Sequence, residues 1–128
     1  MIENIQLRHR LTAGRLPTSV YDLFVDGQDV GFIQIRHRPS HGPYVPPEFA
    51  TNIAYAIHIP FRRRGYGTMI LKLGLLEARK LGLREVLIGS EVENVASVKI
   101  IERNGGVLLK AFQDHGGSES NHYRIDLR

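Results

Sequence analysis

The stretch Arg62-Arg63-Arg64-Gly65-Tyr66-Gly67-Thr68 decides how this chain is organised. An apolar run at 53–59 precedes it, and an amphipathic run at 69–81 follows it. This order predicts a strand that turns sharply into the N-terminus of a helix, where successive amides and the helix dipole favour an anion. Two glycines expose the backbone there and three arginines add positive charge, so we expect a phosphate-bearing ligand at 65–68.

Length and composition predict one domain, 1–128, that is large enough to bury roughly two thirds of its unfolded surface. The apolar fraction of 42% and the charged fraction of 23% argue against disorder. The chain has no cysteine, which excludes disulfides, thiol catalysis and cysteine-ligated zinc, and fits an intracellular protein. Since residues 1–4 do not begin a signal peptide and no apolar run is long enough to span a bilayer, we expect a soluble, cytoplasmic protein without a metal or membrane partner.

The net charge of +4 is concentrated in the clusters 8–10, 36–38 and 62–64. Such a surface could meet nucleic acid or a polyphosphate ligand, but few aromatic residues for base stacking accompany the clusters, which disfavours nucleic acid. The hexapeptides 5–10 and 33–38 are near copies. Six residues are too few for a repeat architecture, so we interpret them as two strands with similar ends.

Hydrophobic periodicity predicts a mixed α/β fold in which strands come first and helices later. Asp26-Gly27 is typical of a hairpin turn, Gly82 of a helix C-terminus, and Asn94 of a helix N-cap. Gly74 on the apolar stripe indicates close contact between helix and sheet. The proline-rich segment 39–49 is predicted as loop, and 115–120 as a flexible turn before a final hairpin strand. Predicted strands are 2–8, 20–25, 30–35, 53–59, 86–89, 107–112 and 123–127, and predicted helices are 69–81 and 95–103.

Two elements carry a resemblance to a known family: Arg62-Arg63-Arg64-Gly65-Tyr66-Gly67 and Asn94-Val95-Ala96-Ser97. Together with Gly82-Leu83 and Gly105-Gly106, they resemble the GNAT superfamily of acyl-CoA N-acetyltransferases over about 31–106. The resemblance implies an α+β fold with a mixed, mostly antiparallel central sheet flanked by helices. Family members carry helices between the first two strands, and 11–19 is too short for them, so we expect a shortened N-terminal helical region. Neither a nucleotide P-loop nor a dinucleotide fingerprint is present.

The resemblance also implies a binding site for acetyl-CoA as acyl donor. Amides at 63–68 would hold the pyrophosphate, the strand at 57–59 would pair with the pantetheine arm, and Asn94 would contact the donor as well as cap its helix. The alternative for Asn94 is a plain N-cap, and for Arg63 a solvated side chain. The implied donor-binding residues are Ile57, His58, Ile59, Arg62, Arg63, Arg64, Gly65, Tyr66, Gly67, Thr68, Asn94 and Ser97.

Acetyl transfer needs a neutral amine, a polarised thioester carbonyl and a proton for the leaving thiolate. Many family members supply that proton from a tyrosine seven residues after the capping asparagine, which here is Ile101. Three substitutes are hypotheses drawn from position: His58 or Glu91 as base and Tyr123 as acid. The simpler interpretations are a strand-end histidine, a solvated acid and a packed tyrosine.

The acceptor site is the least specified part of the chain. The proline-rich segment, with His41, Tyr44 and Glu48, could wall it in place of the missing helices, as could a second subunit, or it could be open to a large substrate. Our leading prediction is an N-acetyltransferase that acts on an amine of a small molecule or peptide. The alternatives are a non-catalytic acyl-CoA sensor or regulatory module and a nucleic-acid-binding domain. An exposed last hairpin could mediate a homodimer.

Overall fold

The computed structural model describes residues 3–43, 45–113 and 117–128. Within these ranges the chain alternates between strands and helices in the order predicted from its periodicity. The 3-10 turns are Pro47–Phe49 and Ile59–Phe61. The main elements are β1 (Ile5–Ala13), β2 (Thr18–Val25), β3 (Gln28–Ser40), β4 (Thr51–Ile57), α1 (Tyr66–Lys80), β5 (Glu85–Glu91), α2 (Val95–Arg103), β6 (Val107–Gln113) and β7 (Glu119–Asp126).

The strands form two antiparallel sheets, ordered β1-β2-β3-β4 and β5-β7-β6. β4 and β5 pack beside each other, but no hydrogen-bonded ladder joins them in the described part of the chain. α1 packs on the first sheet, and α2 lies against both α1 and β5. The predicted α+β fold with a mostly antiparallel sheet and flanking helices is confirmed. The gap between β4 and β5 is the feature that positions the site.

Local sequence signals account for the turns and helix ends. Asp26 and Gly27 both have positive φ, 51° and 81°, as a two-residue type I′ hairpin requires, so the predicted β2–β3 turn is confirmed. At the end of α1, the Gly82 N–H donates to the Arg79 carbonyl and the Leu83 N–H to the Ala78 carbonyl. This is a Schellman motif, with Gly82 at φ 88° as its left-handed residue.

Gly74 is the point where α1 approaches the first sheet. A Cβ added at Gly74 would collide with Cδ1 of Ile33, a side chain with no exposed surface. The close contact predicted for this glycine is therefore confirmed. The core beneath α1 is made by aliphatic side chains from both sheets and both helices, among them Leu23, Ile33, Ile35, Ile70, Leu71, Ile88 and Ile101.

Several predicted strand boundaries were wrong, because pairing between strands extends them beyond their apolar residues. β1 continues past residue 8 to Ala13, and β7 begins at Glu119 rather than 123. β3 runs on to Ser40 through part of the segment expected to be loop. Pro39 is tolerated there since β3 has no β4 partner between Ile35 and Ser40, so no ladder bond needs its missing N–H.

Other boundaries moved in the opposite direction or lie outside the description. β4 ends at Ile57 rather than 59, because the 3-10 turn with Pro60 follows directly. The connection from Ala13 to Thr18 holds no helix, as expected for a shortened N-terminal region. Of the predicted turn at 115–120, residues 115 and 116 lie outside the described ranges, and Glu119 and Ser120 belong to β7.

The last hairpin leaves an apolar edge. β6 is an outer strand of the second sheet, and Val107, Leu108 and Leu109 are 55%, 53% and 43% exposed. The homodimer that this hairpin could mediate stays a prediction. Within the described ranges, no helix is long and apolar enough to cross a bilayer, and no group of three or more His, Asp or Glu side chains is arranged to hold a metal ion.

Asn52 joins the two sheets where they are closest. Its side chain is 3% exposed, its Oδ1 accepts from the Leu87 N–H at 2.9 Å, and its Nδ2 donates to the Arg36 carbonyl at 2.9 Å. Asn52→Ala would leave both main-chain groups without these partners. We expect the free energy of unfolding to fall by about 2–4 kcal/mol, measured by urea denaturation. Asn4→Ala, at an exposed residue, is the control, and equal urea midpoints for the two variants would contradict this role for Asn52.

Candidate functional site

The main cleft lies in the gap beside β4. It has a volume of about 920 Å³ and is bounded by β4, the turn into α1 and one side of α2. β4 pairs with β3 along one edge only in the described chain, so its other edge has no partner strand and can present main-chain groups to a ligand. The carbonyls at its two ends, of Thr51 and Ile57, already accept hydrogen bonds from arginine side chains. The lining residues are Ile53, Ala54, Tyr55, Ala56, Ile57, Phe61, Arg62, Arg63, Gly65, Tyr66, Gly67, Thr68, Ile88, Gly89, Asn94, Val95, Ala96, Ser97, Lys99, Ile100 and Arg103.

The turn into α1 presents main-chain amides to this cleft. Arg63 and Gly65 both have positive φ, 65° and 85°, and Gly65 is the N-cap residue. No side chain caps the helix, and its first turn contains no acidic residue. The first amides of α1 are therefore available to an anion, as the sequence predicted.

The two glycines of the turn have different roles. A Cβ at Gly65 would point into open space, so this position needs glycine for its backbone conformation. A Cβ at Gly67 would lie 2.6 Å from Cδ1 of Ile100, the end of a partly buried side chain on α2, which would have to shift to make room. Both glycines were predicted to expose backbone to phosphate. The packing adds that Gly67 lies at the contact between α1 and α2.

Positive charge in the cleft comes from two elements. Arg62 and Arg63 contribute from the turn, and Lys99 and Arg103 contribute from α2, while none of the described carboxylates lines the cleft. Lys99 and Arg103 were not predicted from the sequence. They are four residues apart on the helix that follows Asn94, and this spacing, which places both on one face, could have indicated them.

The three arginines of the motif separate in the structure. Arg62 Nε donates to the Ile57 carbonyl at 2.9 Å and so fastens the turn to the end of β4. Arg63 lines the cleft. The Arg64 guanidinium lies 5.9 Å from the centre of the Phe61 ring, and Arg64 is outside the cleft lining. Two of the three arginines thus line the cleft beside the glycine turn into α1.

Asn94 is the N-cap of α2, as predicted. Its Oδ1 accepts from the Ser97 N–H at 3.1 Å, and both residues line the cleft. Contact with a ligand stays a prediction for both.

Substitutions at Asn94 separate its two predicted roles. Asn94→Ala should lower the free energy of unfolding by about 1 kcal/mol, whereas Asn94→Ser keeps a capping oxygen and should change it little. Stability is measured by chemical denaturation, and CoA affinity by titration calorimetry. If Asn94 also contacts the ligand, Asn94→Ser should weaken CoA binding at nearly unchanged stability. If the serine variant binds CoA with wild-type affinity, Asn94 acts only as the N-cap of α2.

Tyr55 is a candidate catalytic residue that was not predicted from the sequence. It lines the main cleft from β4, and its hydroxyl lies 3.2 Å from Ser97 Oγ. Burial raises the pKa of Tyr55 above its ordinary value of 10.0, and the hydrogen bond with Ser97 opposes part of that rise. Tyr55 therefore stays protonated at neutral pH and can donate a proton within the cleft. Ile101, at the position of the usual family acid, has no exposed surface.

Two of the predicted catalytic residues lie outside the lining of the main cleft. His58 follows the end of β4, and its Nε2 lies 3.3 Å from Asp29 Oδ1 on the exposed surface. Tyr123 is 3% exposed, and its hydroxyl accepts from Asn121 Nδ2 at 3.1 Å. Their catalytic roles stay predictions.

Ile59 and Tyr66 were also predicted to bind the donor, and only Tyr66 lines the main cleft. Ile59 is 75% exposed and lies outside the cleft lining. Tyr66 lines the cleft with a largely buried side chain, and its hydroxyl donates to Glu3 Oε1 at 3.3 Å. The remaining predicted donor-binding residues, Ile57, Arg62, Arg63, Gly65, Gly67, Thr68, Asn94 and Ser97, all line the main cleft.

A second, smaller cleft of about 310 Å³ shares two lining residues with the first. Ile53 on β4 and Gly89 on β5 line both. Glu91 lies in the second cleft together with His41 from the proline-rich segment; Glu48 is outside the lining, and Tyr44 lies outside the described residues. The lining residues are Arg36, Ser40, His41, Gly42, Val45, Phe49, Thr51, Ile53, Gly89, Ser90, Glu91, Phe112 and Ser120.

The fold and the site together define a class of protein. A strand with one unpaired edge, a glycine turn into a helix and a second helix with two cationic side chains form an α+β domain whose cleft suits an extended anionic ligand. Residues 5–107 match the sequence model of the acetyltransferase (GNAT) domain. The chain belongs to the GNAT acetyltransferase family, which confirms the predicted family.

Solved structures show the same fold. Over 87% of this chain, the putative acetyltransferase yncA of Salmonella typhimurium with its cofactor acetyl-CoA matches at TM-score 0.69 and 17% identity. The ribosomal L7/L12 α-N-protein acetyltransferase RimL in complex with coenzyme A matches at 0.65 and 22%, again over 87%. The matches span 65% and 64% of those two chains, which is less than two thirds of their length.

A third structure has nearly the same extent as this chain. A chimera of spermidine N-acetyltransferase SpeG from Vibrio cholerae and hSSAT matches at TM-score 0.73 and 11% identity, over 96% of this chain and 95% of its own. No curated protein matches the chain significantly. At these identities the structural matches establish the fold.

Proposed function

We propose that this protein is an acetyl-CoA-dependent N-acetyltransferase whose main cleft binds the acyl donor and whose second cleft binds an amine of a small molecule or peptide. The observation that carries the proposal is that Ile53 on β4 and Gly89 on β5, on either side of the gap between these strands, line both clefts. Family membership and the acetyl-CoA and coenzyme A held by yncA and RimL support the choice of donor.

The main cleft suits this donor in charge and in shape. The amides at the start of α1, with Arg63, Lys99 and Arg103, would hold its pyrophosphate. The unpaired edge of β4 at 54–56 offers main-chain hydrogen bonds to the amides of its pantetheine arm, in place of the 57–59 backbone expected from the sequence. Acetyl-CoA supplies the acyl group as a thioester.

Tyr55 and Glu91 supply the proton chemistry in this proposal. Tyr55 carries a proton in the main cleft that it can donate to a leaving thiolate. Glu91 in the second cleft can accept a proton from the acceptor amine, directly or through water. Among the three candidates from the sequence, Glu91 is the one that lines the second cleft.

The test combines ligand binding with turnover. Acetyl-CoA or CoA at 100 times its Kd should raise the free energy of unfolding by about 2.7 kcal/mol, seen as a higher melting temperature, and an oligonucleotide should not. Acetyl-CoA should then lose its acetyl group to at least one amine of a panel. No shift with either ligand would contradict the proposal. A shift without transfer to any amine would favour the non-catalytic, acyl-CoA-binding alternative.

Gly65 and Gly27 form a matched pair of variants for the donor site. Both have positive φ, 85° and 81°, and an added Cβ meets no atom within 4 Å at either position. Gly65→Val and Gly27→Val should therefore destabilise the fold by similar amounts, but only Gly65→Val should lose the melting shift with CoA. Equal shifts in the two variants would contradict an anion site at this turn.

A further inference from the structure

The second cleft carries charges of both signs. Arg36 lies on β3 and Glu91 ends β5, and both line the same 310 Å³ volume. Among the described residues the two are not an ion pair, and neither pairs with another charged group within 4.0 Å. Each charge is thus available to a ligand that enters the cleft.

Arg36 is held in place rather than free in solvent. It is half-buried, and its Nη1 donates to the Thr51 carbonyl and to Thr51 Oγ1, both at 3.3 Å. A guanidinium has five N–H donors, so these contacts leave the N–H groups of Nε and Nη2 for a ligand. Those groups suit a carboxylate, which arginine binds with two parallel hydrogen bonds.

One wall of the second cleft is aromatic. The rings of Phe49 and Phe112 stack with centroids 3.9 Å apart, and both residues line the cleft. Such a surface favours contact with an apolar or aromatic group of the ligand.

We propose that the acceptor is a free amino acid with an apolar or aromatic side chain, its amine directed to Glu91, its carboxylate to Arg36 and its side chain to the aromatic wall. This inference rests on the proposed function, since it names the acceptor of the same reaction.

Three ligands of one shape test the carboxylate: phenylalanine, phenylalaninamide and phenethylamine. Binding of each to the CoA-loaded protein is measured by calorimetry, independently of turnover. We expect phenylalanine to bind roughly 10- to 100-fold more tightly than the other two. Arg36→Gln should remove that preference, while Arg36→Lys should keep part of it.

Calorimetry and turnover answer separate questions. Equal binding of the three ligands, binding of none, or an unchanged preference in Arg36→Gln would overturn the amino-acid assignment. Acetylation of phenethylamine as readily as phenylalanine would overturn it too, and leave the N-acetyltransferase proposal standing. Failure of acetyl transfer to any amine would count against the proposed function, while selective binding of phenylalanine would still support the carboxylate site. Thermal melting of Arg36→Gln shows that the variant is folded.

Discussion

Replacing Tyr55 by phenylalanine is expected to lower kcat by about 100-fold or more, because the main cleft loses its proton donor. Removing one hydroxyl changes the volume little, and the Tyr55 ring remains between β4 and α2. We therefore expect the Kd of acetyl-CoA and the melting temperature to stay close to wild type. Steady-state kinetics with the best amine of the panel, together with calorimetry, measures the two effects separately.

Tyr123→Phe and His58→Ala are the matched comparisons. Both positions are sequence-predicted catalytic candidates that lie outside the two clefts. If Tyr55 is the acid, these variants should keep wild-type kcat/KM. A Tyr55→Phe variant with wild-type kcat would remove Tyr55 from the mechanism. A large loss in Tyr123→Phe alone would return the acid to the residue that the sequence suggested.

The pH dependence provides a second check on Tyr55. Burial raises the pKa of Tyr55 above 10.0, so Tyr55 stays mainly protonated below pH 10.0, and the midpoint of any activity loss that follows this proton lies above pH 10.0. The acidic side of the profile reports groups that must lose a proton, such as the amine. A fall in kcat near about pH 8 to 9 that disappears in Tyr55→Phe would contradict a raised pKa.

Reversing the charges of Lys99 and Arg103 is expected to weaken acetyl-CoA binding. Both lie on α2 in the wall of the main cleft. Each substitution by glutamate removes an attraction to the pyrophosphate and adds a repulsion. Since both side chains are exposed and solvent screens them, we expect about three- to tenfold for each and roughly 10- to 100-fold for the pair at low salt.

Lys72→Glu is the control for the charge reversals, because Lys72 is exposed on α1 and lines neither cleft. It makes the same change in net charge and should leave the Kd nearly unaltered. The difference between the variants should shrink as salt is raised, since screening weakens all of these interactions. An equal effect of Lys72→Glu would mean that acetyl-CoA responds to net charge rather than to this wall.

Local sequence signals predicted the parts of the fold whose causes are local. The hairpin at Asp26-Gly27, the Schellman end at Gly82 and the Asn94 cap each depend on a few neighbouring residues, and all three are present. Strand lengths depend on partners far along the chain. β1 extends beyond its apolar run because β2 pairs with it as far as Ala13, and β3 is lengthened by further pairs with β2 and by the pair of Ser40 with Thr51 of β4.

The candidate site shows the same division between local and tertiary causes. The sequence by itself determined the glycine turn into α1, since Gly65 and the start of α1 lie within one continuous motif. Only the tertiary structure decided that Tyr55, Lys99 and Arg103 share a cleft with that turn, and that Arg36 and Glu91 share another. The physical reason is that β4 and β5 pack without pairing in the described chain, and this gap brings together side chains that are far apart in the sequence, such as Arg36 and Glu91, 55 positions apart.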